Sequence, residues 1–203
     1  MQKIGILGGT FDPPHIGHLI LAEYTLEALQ LDKVLFLPAG VQPHKPETRS
    51  HVQHRLNMVQ HAIADNPKFA LSRVDIDRDP PHYTADTLPL LQQQYPDAQL
   101  YFLMGGDNLR SFPQWERPQA IIKKARLAVM RRSDEDITPT MHDDSIPNLS
   151  EHIDMVDTPL LSIWLSSTHI VERLKNGLGI RYIVPASVIA YIQANQLYLP
   201  EPS

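Results

Sequence analysis

The spacing of apolar and polar positions changes repeatedly along the chain, and each change marks an element. A short apolar run from Ile4 to Leu7 has the length of a buried strand. After it, Ile16, Leu19, Ile20, Leu26 and Leu29 recur at helical spacing. The same reading predicts strands near 3–7, 33–37, 69–75, 99–104, 126–131, 153–156 and 181–184. Helices are predicted near 16–30, 51–65, 85–95, 117–125, 168–176 and 186–195. Local signals sharpen some ends. Ser50 with Gln53 has the pattern of a capping box, Asn176-Gly177 that of a helix stop, and Pro185 suits a first helical turn. Strands alternating with helices predict an α/β, Rossmann-like fold: an open, mostly parallel sheet with helices on both faces. No repeat or clear linker interrupts the pattern, so a single domain over 1–203 is expected, with an acidic loop at about 133–152.

Charge and composition narrow the classes of function. The apolar fraction of 42% is ordinary for a globular chain. A net charge of −5 argues against a nucleic-acid or anionic-membrane surface. From Ser133 to Asp157 there are eight acids and no Lys or Arg, which leaves the remainder at +3, a balance suited to small anionic substrates. With no cysteine, disulfides and thiolate metal sites are excluded. The lack of a charged-then-apolar leader and of a span-length apolar run sets the expectation of a cytoplasmic protein.

The chemistry concentrates where the predicted strands end. Gly8-Gly9-Thr10-Phe11-Asp12-Pro13-Pro14-His15-Ile16-Gly17-His18 joins the first strand to the first helix. Glycines admit close approach of a ligand, and a helix start offers N–H groups to a phosphate. His15 and His18, three apart, share a helix face. No G-x-x-x-x-G-K-[ST] loop or G-x-G-x-x-G turn is present, so a P-loop or dinucleotide site is not indicated. Pro43-His44-Lys45-Pro46 follows the second strand, Gly105-Gly106-Asp107 a later one, and Ser166-Ser167-Thr168 opens a late helix. In open α/β sheets ligands sit beyond the carboxyl ends of strands, which makes these segments parts of one site. Thr84 stands at a helix start, where it is an N-cap or belongs to a carboxylate-binding amide cluster; the two readings are compatible. Asp107 reads as a ribose ligand or as a helix cap. His51, His54 and His61 can share a helix face but lack accompanying carboxylates, so they are read as solvated and no protein metal site is expected.

These motifs resemble those of the nucleotidylyltransferases with an H-x-G-H signature, here His15-Ile16-Gly17-His18. The segment Phe11-Asp12-Pro13-Pro14-His15 is similar to the nicotinate mononucleotide adenylyltransferase branch of that family. The resemblance implies adenylyl transfer from ATP to nicotinate mononucleotide, giving nicotinate adenine dinucleotide and pyrophosphate, a step of NAD synthesis. It implies catalytic roles for His15, His18 and Lys45, and phosphate contacts from Gly8, Gly9, Thr10, Phe11, Ser166, Ser167 and Thr168. Tyr83, Thr84, Gly106, Asp107 and Trp115 would take the nicotinate mononucleotide, with Trp115 stacking on its ring. Mg²⁺ would ride on the ATP phosphates. The chain departs from the second signature, I-S-S-T-x-I-R, by placing Val171 where the motif has Arg. Lys175, Arg131 or Arg132 would then supply the cation, or triphosphate would bind more weakly. Transfer to nicotinamide mononucleotide or pantetheine phosphate, and a weakly catalytic nucleotide-binding module, are the alternatives. Homo-oligomer formation is left open.

Overall fold

A computed structural model describes residues 1–40, 48–132, 136–158 and 165–199. Six strands form one parallel sheet: β1 (Gln2–Gly9), β2 (Lys33–Pro38), β3 (Phe69–Leu71), β4 (Ala98–Gly105), β5 (Ala125–Arg132) and β6 (Ile153–Thr158), in the order β3-β2-β1-β4-β5-β6. The helices are α1 (Ile16–Ala28), α2 (Val52–Ile63), α3 (Thr84–Gln94), α4 (Gly106–Ser111), α5 (Pro118–Ile122), α6 (Ser167–Lys175) and α7 (Ala186–Ala194). The open parallel sheet expected from the alternation is therefore present.

Side-chain alternation along the strands builds two cores, one per face. Leu35, Leu37, Leu100, Phe102 and Met104 pack with residues of α3, α4 and α5. The intervening Val34, Phe36, Tyr101 and Leu103 pack with α1, α2, α6 and α7. A period of two on strands buried on both faces explains why these segments read as unbroken apolar runs. Strand order runs outward in opposite directions from β1 and β4, so a crevice opens beyond their carboxyl ends. Gly8-Gly9 closes β1 and Gly105 closes β4, and both ends reach that crevice.

Several predicted elements are corrected. No strand forms at 181–184: Ile180 and Val184 are buried as the ends of a turn, joined by a Val184 N–H to Ile180 carbonyl bond, with only an isolated Arg181–Val184 bridge. Ile180 and Val184 join the core on the α1 face of the sheet, and the Ile183 carbonyl accepts the Ile16 N–H at 3.0 Å. β3 stops at Leu71 because the chain turns so that buried Asp75 can accept from Arg78 and Thr87. Pro185 is the N-cap of α7 rather than a residue of its first turn. The expected helix at 117–125 is the shorter α5, and α4 follows β4 with no intervening loop.

The acidic stretch is not simply a solvated loop. Within its described part Ile137, Ile146 and Leu149 are buried in the core. Asp143 accepts from the Ser150 amide and hydroxyl, Asp154 pairs with Arg126, and Asp157 pairs with Arg131. Apolar residues every few positions anchor a segment whose composition reads as polar.

Candidate active site

His15 is the N-cap of α1 and His18 its third helical residue. The rings stack, with centroids 3.7 Å apart and planes at 20°. Gly17 between them permits this, since a Cβ there would lie 3.0 Å from His15 Nδ1. The His15 amide donates to His18 Nδ1 at 3.2 Å, so His18 carries its ring proton on Nε2. Burial lowers the His15 pKa to about 4. Burial, then the neighbouring His15, pushes His18 well below the usual histidine range. Burial thus favours the neutral imidazole at both positions. His15 Nδ1 is buried over the first turn of α1, where it faces the His18 amide.

The loop before the histidines is held from behind by buried polar groups. Asp12, 2% exposed, accepts from the amides of Arg49 (2.6 Å) and Ser50 (3.1 Å) and from the hydroxyls of Ser50 and Tyr198 (2.5 Å each). Ser50 is thus spent on Asp12 instead of capping α2; His51 is that cap, its Nδ1 accepting from the Gln53 amide. Arg55, also 2% exposed, donates from Nη1 to the carbonyls of Thr10 (2.9 Å) and Ala39 (2.7 Å). A Cβ on Gly9 would meet the ring of buried Phe11 at 2.9 Å, and Phe11 in turn meets His18 edge-on. Arg inside a helical apolar stripe, as at 55, is the one sequence signal that marks this support.

The start of α6 lies against the same loop. The Ser167 hydroxyl donates to the Pro13 carbonyl at 2.8 Å. Ser166 caps the helix by accepting from the His169 amide, and Thr168 Oγ1 accepts from Arg49 Nη2 at 3.0 Å. All three hydroxyls therefore have partners. The amides at the start of the helix are the groups left for an anion. At α1, by contrast, the Ile16 amide is already taken by Ile183.

On the other side of Gly8 and Gly9 opens a cavity of about 350 Å³ between β1, β4 and the start of α3. Tyr83, Thr84, Asn108 and Trp115 line it. Trp115 is half-buried, edge-on to Phe102 at 5.7 Å, which leaves part of its ring to the cavity. Tyr83 is the N-cap of α3, so Thr84 is its first helical residue and not the cap. Gly106 and Asp107 open α4, whose N-cap is Gly105; the helix-cap reading of Asp107 is replaced by a first-turn position. Asn108, not Asp107, reaches the cavity wall.

The remaining candidates fall elsewhere. Lys45 lies outside the described residues, as does the side chain of Arg132. His54 is not simply solvated, because its ring bonds the Tyr191 hydroxyl at 3.0 Å, while His61 packs on the Tyr191 ring. Among the described residues no group of three or more His, Asp or Glu is placed to hold a metal. Nor is any described helix long and apolar enough to cross a membrane.

Residues 6–173, which include the glycine turn after β1, the histidine pair of α1 and the start of α6, match the cytidylyltransferase-like family, and the chain is an α/β nucleotidyltransferase. Similar proteins narrow the class. One, from Thermomicrobium roseum, is named a probable nicotinate-nucleotide adenylyltransferase and is 44% identical over 199 residues, 98% of this chain and 92% of its own. Another of that name, from Oceanobacillus iheyensis, is 39% identical over 98% of this chain and 97% of its own. The fold matches the Plasmodium falciparum nicotinic acid mononucleotide adenylyltransferase complexed with NaAD, with a TM-score of 0.81, 19% identity and 98% of each chain covered. The chain belongs to the nicotinate-nucleotide adenylyltransferase family.

Proposed function

We infer that this chain transfers the adenylyl group of ATP to nicotinate mononucleotide, giving nicotinate adenine dinucleotide and pyrophosphate in NAD synthesis. The observation that carries the reading is the meeting, across Gly8-Gly9, of the histidine pair with a cavity walled by Trp115 and the start of α3. A phosphate monoester is mostly doubly ionised near neutral pH, its second pKa being about 6. Its oxygen attacks the α-phosphorus of ATP, the bond to the β-phosphate breaks, and pyrophosphate leaves, with no general base needed. The protein aligns the two anions and stabilises charge on the triphosphate.

In this reading ATP arrives as its magnesium complex, the ion held on the phosphates. Thr10, Phe11, Gly8, Gly9, His15, His18 and the start of α6 at Ser166, Ser167 and Thr168 surround the phosphates, with Lys45 as a further phosphate ligand. Tyr83, Thr84 and Trp115 hold the pyridine, and Gly106 and Asp107 the ribose. The reaction belongs to the cytoplasm. Pyrophosphate release with ATP and Mg²⁺, run in parallel with nicotinate and nicotinamide mononucleotides, tests this. Much faster release with the nicotinate form is expected. Equal rates would remove the acid-specific pocket, and no release with either would overturn the reaction.

A further inference from the structure

The described phosphate side of the site is short of positive charge. The rings of His15 and His18 stack with centroids 3.7 Å apart, which disfavours charge on both at once. Val171, where the resemblance leads one to look for an arginine, is 3% exposed and faces the protein interior. Neither Lys175 nor Arg131, the described replacements suggested by the sequence, serves. Lys175 ends α6, eight residues or about 12 Å along the axis from Ser167. Arg173 spends Nε on the Gly179 carbonyl, and Arg131 is paired with Asp157.

A guanidinium is nevertheless at the start of α6. Arg49 is exposed, and its Nη2 donates to Thr168 Oγ1 at 3.0 Å. Its backbone is fixed by the 2.6 Å bond from its amide to buried Asp12, in the loop whose Pro13 carbonyl accepts from Ser167. The contact with Thr168 uses one of the five N–H donors of the group, leaving others for a ligand. Two elements far apart in sequence thus bring a forked donor beside the α6 amides.

We propose that Arg49 binds the β- and γ-phosphates of ATP at the start of α6, supplying from the 48–50 segment the cation that Val171 does not. The assignment rests on the adenylyl-transfer reading for its substrate. Forked, charge-assisted contacts of this kind are what arginine provides to phosphate.

The test is calorimetric binding of MgATP and of AMP to the full chain, without a pyridine mononucleotide, for wild type, Arg49→Gln, Arg49→Lys and Thr168→Val. Arg49→Gln should weaken MgATP about ten- to a hundredfold and leave AMP nearly unchanged. Arg49→Lys should recover part of the loss. Thr168→Val, which removes the hydrogen bond and keeps the charge, should cost only a few-fold. In turnover, Arg49→Gln should raise the KM for ATP far more than that for nicotinate mononucleotide. Unchanged MgATP affinity in Arg49→Gln overturns the proposal. Equal loss of ATP and AMP affinity also overturns it, since a merely structural arginine would act that way. A wild-type chain that binds ATP but releases no pyrophosphate sinks the reaction alone, and the ATP-to-AMP comparison still decides Arg49. A wild-type chain that binds no ATP sinks both.

Discussion

Desolvation favours the neutral form of His15 and His18, and this has consequences for stability and for rate. An unfolded histidine titrates near 6.5, whereas native His15 does so at about 4. Between those values the unfolded chain holds a proton that the native chain does not. Acidification therefore favours unfolding, and the loss levels off below about pH 4, where both states are protonated. From His15 alone about 2 kcal/mol should disappear between about pH 7 and about pH 5, with His18 adding in the same direction. Urea melts at the two pH values check this, and His15→Gln should flatten the slope. Catalytically, His18 presents one oriented Nε2–H. His18→Ala should lower kcat about 10²–10³-fold, as for other preorganised donors, with a smaller effect on the KM for ATP. Steady-state pyrophosphate release measures both constants.

The elements show where local rules hold and where packing overrides them. α6 stops as its sequence suggests: Gly177 has φ +69°, and the Leu178 and Gly177 amides close back on Arg173 and Leu174. α2 does not start as its sequence suggests, because buried Asp12 takes Ser50 from the capping box and His51 caps instead. At α1 the demand falls on Gly17, which sits beneath the His15 ring. Alanine there would favour the helix by about 0.5–1 kcal/mol but would press a Cβ to 3.0 Å from Nδ1 of a ring that is already stacked. The two effects offset in stability but not in geometry. Gly17→Ala should change the melting temperature little while lowering kcat about tenfold by displacing the histidine pair. Thermal melts and turnover on the same preparation separate the two.

Across the whole molecule, Asp12 near the start of the chain is bonded to Tyr198 near the end of the described residues. Burial, followed by the charge of Asp12, raises the pKa of that tyrosine, which keeps its hydroxyl a donor. Tyr198→Phe removes one donor from a buried carboxylate and should cost about 1–3 kcal/mol, read as a shift in the urea midpoint. The same comparison separates what was legible in the sequence from what was not. Apolar periodicity predicted the parallel sheet, and glycines and histidines at strand ends marked Gly8 to His18, because period and turn chemistry are local properties. Residues 181–184 have the apolar pattern of a strand but form a turn, since burial alone does not say which neighbour does the burying. Arg49 and Tyr198 carry no local signal at all, and Arg55 only that of a charge within a helical apolar stripe. Their partners lie from 37 to 186 residues away in sequence for the bonds to Asp12, and 45 and 119 away for those to Thr10 and Thr168. Spacing in the chain can specify an element and the loop at its end; which distant side chains supply the charge and the support for that loop is decided only when the sheet closes the distance between them.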